Sequence, residues 1–200
     1  IERDVLTSGT TWHAAGMITQ LGNTPQITKL RKYSVEFYKD LKKITGKDSS
    51  FKETGTINIA INKERHQEYL RQKTMSKLFD INIEIINKKK FKELYPIAKN
   101  SDVFSGLYIP EDGQADPQIL TKTIADAAEK EGAKIFENCK FEKIIKRADQ
   151  VRAVKTNLGE IKCEYVVLCA GMWSRQIGEA AGVSIPLYPN EHFYMITEDH

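Results

Sequence analysis

The sequence predicts a mixed α/β and α+β protein, in which a doubly wound nucleotide-binding domain is interleaved with a smaller domain built on an antiparallel or mixed sheet. Three observations carry this. Tyr165-Val166-Val167-Leu168-Cys169 is a continuous apolar run, as a parallel strand buried on both faces would be, and Ala170-Gly171 then breaks it before a helix. Ile57, Ile59 and Ile61, and again Ile81, Ile83 and Ile85, alternate with polar residues, as half-buried strands do. Glu2 stands at the end of a short strand at the head of the chain, where a dinucleotide-binding βαβ unit carries an acid.

The elements follow in order. Thr24-Pro25 is a helix start, Thr as N-cap and Pro where no hydrogen bond is lost. Ile27, Leu30, Tyr33, Phe37, Leu41 and Ile44 give that helix an apolar face, and Gly46 stops it. After the strand at 56–61 come a polar helix over 63–79, the strand through 81–85 and a short helix at Phe91, Leu94 and Tyr95 that ends at Pro96. Asp116-Pro117 opens a further helix with Ile119, Leu120, Ile124 and Ala127-Ala128 inward and Gly132 at its end. Strands are predicted near 134–136, 141–146 and 150–156, then the turn Asn157-Leu158-Gly159 and a return over 160–163. The run at 165–169 precedes a helix over Trp173, Ile177 and Ala180 that ends at Gly182. A last strand from about residue 190 puts His192, Tyr194 and Ile196 on one face.

On this reading residues 1–48 and 115–182 form the nucleotide-binding domain, lacking its first βα unit, and 49–114 and 183–200 form part of a substrate-binding domain. The chain begins without Met and ends without a closing element, so it reads as a fragment of a larger protein.

Composition narrows the function. The chain has 200 residues, is 40% hydrophobic and 28% charged, and carries a net charge of +3. Its 30 basic residues are spread out; the one dense run, Lys88-Lys89-Lys90, reads as a solvated helix start, not a nucleic-acid surface. Cys139, Cys163 and Cys169 form no CxxC pair and have no nearby histidine, so no metal site is expected. They read as reduced, mostly buried thiols. No stretch has the length of a membrane span. His66 and His200 read as exposed and uninformative.

The stretch Gly9-Thr10-Thr11-Trp12-His13-Ala14-Ala15-Gly16 is the candidate for chemistry. Its small residues would let backbone approach a flat cofactor closely. Thr10 and Thr11 offer hydroxyls and N–H groups to a diphosphate. Glu2 supplies a carboxylate, with acceptors only, for two ribose hydroxyls.

From Ile1-Glu2-Arg3 through Thr11-Trp12-His13-Ala14-Ala15-Gly16 the chain closely resembles the dimethylglycine and sarcosine dehydrogenase family of D-amino-acid-oxidase-like flavoproteins. Gly106-Leu107-Tyr108 with Asp112-Gly113-Gln114-Ala115-Asp116-Pro117 resembles that family's GLY…DGxxDP segment, and Val167–Trp173 its AGxW strand end. Leu187-Tyr188-Pro189 with His192-Phe193-Tyr194 resembles its LxPxxHQY strand, with Phe193 where Gln is usual. The resemblance implies FAD as cofactor, joined through the imidazole of His13 to the 8α-methyl group. It implies that Glu2, Arg3 and residues 9–16 contact it, that the Phe141 backbone meets the adenine, and that Gly171 and Trp173 lie by the flavin. His192 and Tyr194 then face a small N-methylated glycine, dimethylglycine or sarcosine, whose N-methyl carbon gives a hydride to flavin N5. Tetrahydrofolate would bind in a domain outside this chain. The electron acceptor would be an electron-transfer flavoprotein or oxygen, and the compartment the bacterial cytoplasm or the mitochondrial matrix. Two alternatives stand beside this: an oxidase of another secondary amine or amino acid with noncovalent FAD, and a flavin-binding electron-transfer or scaffold subunit without turnover. The piece alone is expected to bind FAD weakly, because the first phosphate-binding loop is missing.

Overall fold

The computed structural model describes residues 1–198, and His200 lies outside the described residues. The chain divides into two units, Leu6–Lys134 and Ile1–Val5 together with the chain from Ile135 onward.

In chain order, the elements of the first unit are β1 (Met17–Ile18), α1 (Pro25–Thr45), β2 (Lys52–Glu53), β3 (Thr56–Ala60), α2 (Lys63–Ser76), β4 (Glu84–Ile86), α3 (Lys88–Leu94), β5 (Ser105–Ile109), β6 (Gly113–Gln114) and α4 (Pro117–Lys130). They build two antiparallel sheets, ordered β1-β6-β2 and β3-β5-β4. Helix α1 starts as its sequence dictates: the Thr24 side chain accepts from the Ile27 N–H at 3.3 Å. Gly46 ends it at φ 72 and donates its N–H to the Lys42 carbonyl. Asp116 caps α4 by accepting from the Gln118 and Ile119 N–H groups at 2.8 and 3.0 Å.

Burial departs from the predicted faces. On α1 the buried residues are Thr28, Val35 and Leu41, while Ile27, Leu30, Tyr33 and Ile44 are exposed. Two apolar stripes share this helix, and only one meets α4 and the sheet below it. On β3 the buried residue is Ala60; Ile59 and Ile61 are exposed and Ile57 is half-buried. Ile81 and Ile83 are buried but precede β4, which is short because it pairs with β5 only over Glu84–Ile86. The central strand β5 was hidden in the sequence by its pattern, since Ser105-Gly106-Leu107 and Ile109 are all buried and nothing alternates. Its two faces meet different helices. Leu107 and Ile109 pack with Tyr69 of α2, while Tyr108 packs against the cluster of Ile86, Phe91 and Val103. His66 of α2 is half-buried, not exposed, with Nδ1 2.8 Å from the Ser105 hydroxyl.

The second unit holds β7 (Phe141–Arg147), β8 (Gln150–Thr156) and β9 (Gly159–Lys162), an antiparallel meander, and α5 (Ser174–Ala180). The predicted turn is present: the Thr156 hydroxyl donates to the Gly159 carbonyl and accepts from the Leu158 N–H. Near 134–136 no strand forms. The Glu2 N–H reaches the Phe136 carbonyl and the Cys139 N–H reaches the Glu2 carbonyl, both at 2.8 Å. A regular parallel pair spans two residues there, not three, so the extra residue stops the ladder. Asn138, at φ 53, takes the kink.

Residues 165–169 are likewise not a strand among the described residues, and Tyr165 and Val167 are 85% and 84% exposed. A buried parallel strand exists only through neighbours that take its N–H and C=O groups, and no described segment forms a ladder with it. Of the cysteines only Cys139 is buried; Cys163 is half-buried and Cys169 exposed. Among the described residues no helix is long and apolar enough to cross a membrane.

Candidate functional site

Residues 6–14 wind through successive turns. The Trp12 N–H bonds back to the Thr7 carbonyl and the Ala14 N–H to the Thr11 carbonyl, each at 3.1 Å. Thr7 is buried in the left-handed region at φ 74. The turns push Trp12, His13, Ala14 and Ala15 outward, and Thr10 with them, while Gly9, Thr11 and Gly16 are half-buried. The Trp12 and His13 rings meet edge to face, centroids 4.9 Å apart at 72°. Gly16 is required by the backbone: φ is 71, and a Cβ there would sit 2.2 Å from the Ala115 carbonyl oxygen.

The chain leaving this loop is held by the segment from Asp112 to Ala115. The Ala115 N–H donates to the Gly16 carbonyl at 2.9 Å, and β1 then pairs with β6, Met17 with Gln114 and Ile18 with Gly113. Asp112 is fully buried. Its Oδ1 accepts from the Gln20 N–H and the Gln20 amide at 2.9 and 3.3 Å, and its Oδ2 from the Thr56 hydroxyl at 2.6 Å. The sequence pattern of Asp112-Gly113-Gln114-Ala115 by itself assigns Asp112 no role. The side-chain partners of Asp112 lie 56 and 92 residues away, beyond the reach of local patterns.

In the other unit Glu2 and Arg3 meet part of their expected company. The Glu2 backbone bonds to Phe136 and Cys139, and its Oε1 accepts from the Asp4 N–H at 3.2 Å. Arg3 pairs with Asp4 at 2.8 Å, and its guanidinium lies 5.0 Å from the centre of the Trp173 ring, a cation–π distance. Gly171 opens the tight turn to Trp173 at φ 53. Phe141 is half-buried at the start of β7, paired with Thr156, with a register shift before Lys143. His192 and Tyr194 do not share a strand face: residues 183–198 carry no helix or strand, and both side chains are exposed. The alternation at 190–196 is the pattern of a strand, but the pairing that would make one is absent among the described residues.

The first unit also has a cleft of about 530 Å³, lined by Arg31, Asn58, Arg65, Tyr69 and Arg71 among others. There the Arg71 guanidinium, with help from the Gln72 amide, holds the Glu68 carboxyl down at about 2. Burial pushes the Tyr69 hydroxyl up.

Known proteins resemble the whole chain. The family described as DAO, FAD dependent oxidoreductase, matches residues 1–200. A 4-methylaminobutanoate oxidase (formaldehyde-forming) of Paenarthrobacter nicotinovorans is 36% identical over 98% of the chain and 24% of its own length. The mitochondrial sarcosine dehydrogenase of Mus musculus is 36% identical over 99% of the chain and 22% of its own. The chain thus spans about a quarter of the length of these relatives. The crystal structure of L-proline dehydrogenase from P.horikoshii superposes at a TM-score of 0.85 with 30% identity, over 92% of this chain and 48% of that one. The donor set suits the cofactor in that family's description. In one unit the Glu2 carboxylate is of the kind that suits ribose hydroxyls; in the other, the exposed Thr10 and half-buried Thr11 carry hydroxyls of the kind that suit a diphosphate, and His13 is exposed to solvent.

Proposed function

Because the chain belongs to the DAO family of FAD-dependent oxidoreductases, we propose that it contributes the flavin site of an enzyme that oxidises a small N-methylated amino acid. Dimethylglycine and sarcosine are the substrates proposed. The observation that carries the reading is the exposed His13, set among small residues in a motif that lies within matches spanning nearly all of this chain, and about a quarter of each relative, to a 4-methylaminobutanoate oxidase and a sarcosine dehydrogenase. When bound, FAD supplies the two-electron acceptor for hydride from the N-methyl carbon.

The chain's own residues hold and orient. His13 carries the flavin covalently. Thr10 and Thr11 hold the diphosphate, with Gly9, Ala14, Ala15 and Gly16 giving close approach and Trp12 bracing the His13 ring. Glu2 grips the ribose, and Arg3, packed on Trp173, keeps the Gly171 turn in place beside it. Phe141 offers backbone to the adenine. His192 and Tyr194 hold the substrate carboxylate and favour the neutral amine, whose lone pair hydride departure needs. Residues 1–48 and 115–182 belong on this reading to the FAD domain, and 49–114 and 183–200 to the substrate domain. A folate region elsewhere in the protein, with electron-transfer flavoprotein or oxygen as acceptor, completes the proposal.

A second reading is favoured by the structural likeness to L-proline dehydrogenase: oxidation of another secondary amine, with FAD bound noncovalently. One experiment separates them. The full-length protein, precipitated in acid, is expected to keep its flavin in the pellet, and the His13→Ala variant to release it. Anaerobic addition of sarcosine, dimethylglycine, 4-methylaminobutanoate or proline then identifies the amine that bleaches the flavin. Complete release from the wild type, with bleaching by proline alone, would sink the first reading.

A further inference from the structure

The segment Asp112-Gly113-Gln114-Ala115 closes on the exit of the His13 loop by an antiparallel ladder that runs from backbone into side chain. Ala115 binds Gly16, Gln114 pairs with Met17, Gly113 pairs with Ile18, and the Asp112 carboxyl then takes the N–H and the side-chain amide of Gln20. Beyond Ile18 the chain has no strand until β2; there Asp112 holds Gln20 from the sheet side, while Arg31 of α1 donates to the Leu21 carbonyl and the Thr19 hydroxyl on either side of it. The grip is tight at both edges. A Cβ on Gly113 would lie 2.1 Å from the Lys52 carbonyl oxygen, and the Gly55 N–H donates to the Asp112 carbonyl at 2.8 Å. Asp112 and Gln20 are both buried, and a buried acceptor must find donors, so the position of one dictates the position of the other. The second oxygen is tied to Thr56 at the start of β3, which anchors the carboxyl to the larger sheet.

We infer that Asp112 is a positioning residue for the cofactor: through Gln20 and β1 it sets where the His13 loop leaves the sheet, and so where the His13 imidazole is presented. This rests on the reading that His13 carries the flavin. Asp112 touches neither cofactor nor substrate in this account; it acts through the loop.

The test uses the full-length protein as purified, comparing wild type with Asp112→Ala, Asp112→Asn and Thr56→Val. Folding is followed by circular dichroism, total flavin by absorbance, and attachment by the fraction of flavin pelleted in acid. Asp112→Ala is expected to lower the attached fraction at least fivefold while total flavin stays within twofold. Asp112→Asn is expected to stay within twofold of wild type. Its amide oxygen can accept from both Gln20 donors and its NH2 can donate to the Thr56 hydroxyl. An unchanged attached fraction in Asp112→Ala, or an equal loss in Asp112→Asn, overturns the inference. Should Asp112→Ala fail to fold, Thr56→Val decides: a partial loss of attachment supports the role, and wild-type attachment overturns it. Should the wild type itself release all its flavin, the His13 reading has failed. The clasp is then judged by hydrogen exchange at amides 16–20, where faster exchange in Asp112→Ala than in Asp112→Asn supports it and equal exchange overturns it.

Discussion

At the residue scale, the firmest electrostatic feature is the Glu68–Arg71 pair, with contacts at 2.6 and 2.8 Å on one face of α2. The hydrogen bond from Arg71 is the larger cause, that from Gln72 the next, and together they hold Glu68 from 4.5 down to about 2. A carboxylate lowered by folding adds stability above its unfolded pKa, and this is lost as pH falls through the folded value. The pair therefore contributes at pH 5 and above and fades between 4.5 and about 2. Arg71 is exposed and Glu68 only half-buried, so solvent screens the pair and its effect is small. Carbon-detected titration should place the Glu68 midpoint near 2 in wild type and return it toward 4.5 in Arg71→Ala; equal midpoints would contradict the pairing. At this scale His13 and Glu2 were legible as candidates because each belongs to a short motif with its own chemistry. Asp112 was not, since an Asp before Gly reads as a turn residue until its burial and its distant donors are known.

At the element scale, helix ends were read better than helix faces. Thr24, Gly46 and Asp116 all act where the sequence put them, because capping depends on a side chain and the three or four residues beside it. Replacing Thr24 by Ala should cost about 1 kcal/mol, and Gly46→Ala, forced into a left-handed backbone, about the same or more. Urea unfolding midpoints that fail to move in both would show that α1 is held by packing alone. Faces were misread wherever an element is apolar on two sides or is buried on both. Helix α1 is the first case, with Leu30, Tyr33 and Ile44 outside; β5 is the second, and there the strand itself went unpredicted. Periodicity reports that a face is apolar; only the neighbouring element decides whether it is covered. The same limit explains 165–169 and 190–196, whose patterns suit strands and whose partners are not in ladder with them.

At the scale of the whole molecule, the mixed α/β class, helices α1 to α4, strands β3 and β4 and the meander β7-β8-β9 were legible, whereas the central strand β5 and any parallel sheet were not. Parallel strands need neighbours brought in by crossovers, and the paired strands among the described residues are antiparallel. The uncovered segments have a measurable consequence. Tyr165, Val167 and Phe193, the last 95% exposed, present large apolar side chains to water. The 200-residue chain prepared by itself should bind an apolar dye strongly and lose FAD on desalting; dye fluorescence at the level of an ordinary folded protein would count against this. The division of the chain carries a different consequence. Leu6–Lys134 is continuous, but the unit containing Glu2 closes only when residues beyond Ile135 return to Ile1–Val5. During vectorial synthesis the ribosome therefore delivers one strand-end long before its mate, roughly 6 to 26 seconds at ordinary elongation rates. For that interval the Glu2 segment waits unpaired, a window in which a chaperone can act on the nascent polypeptide.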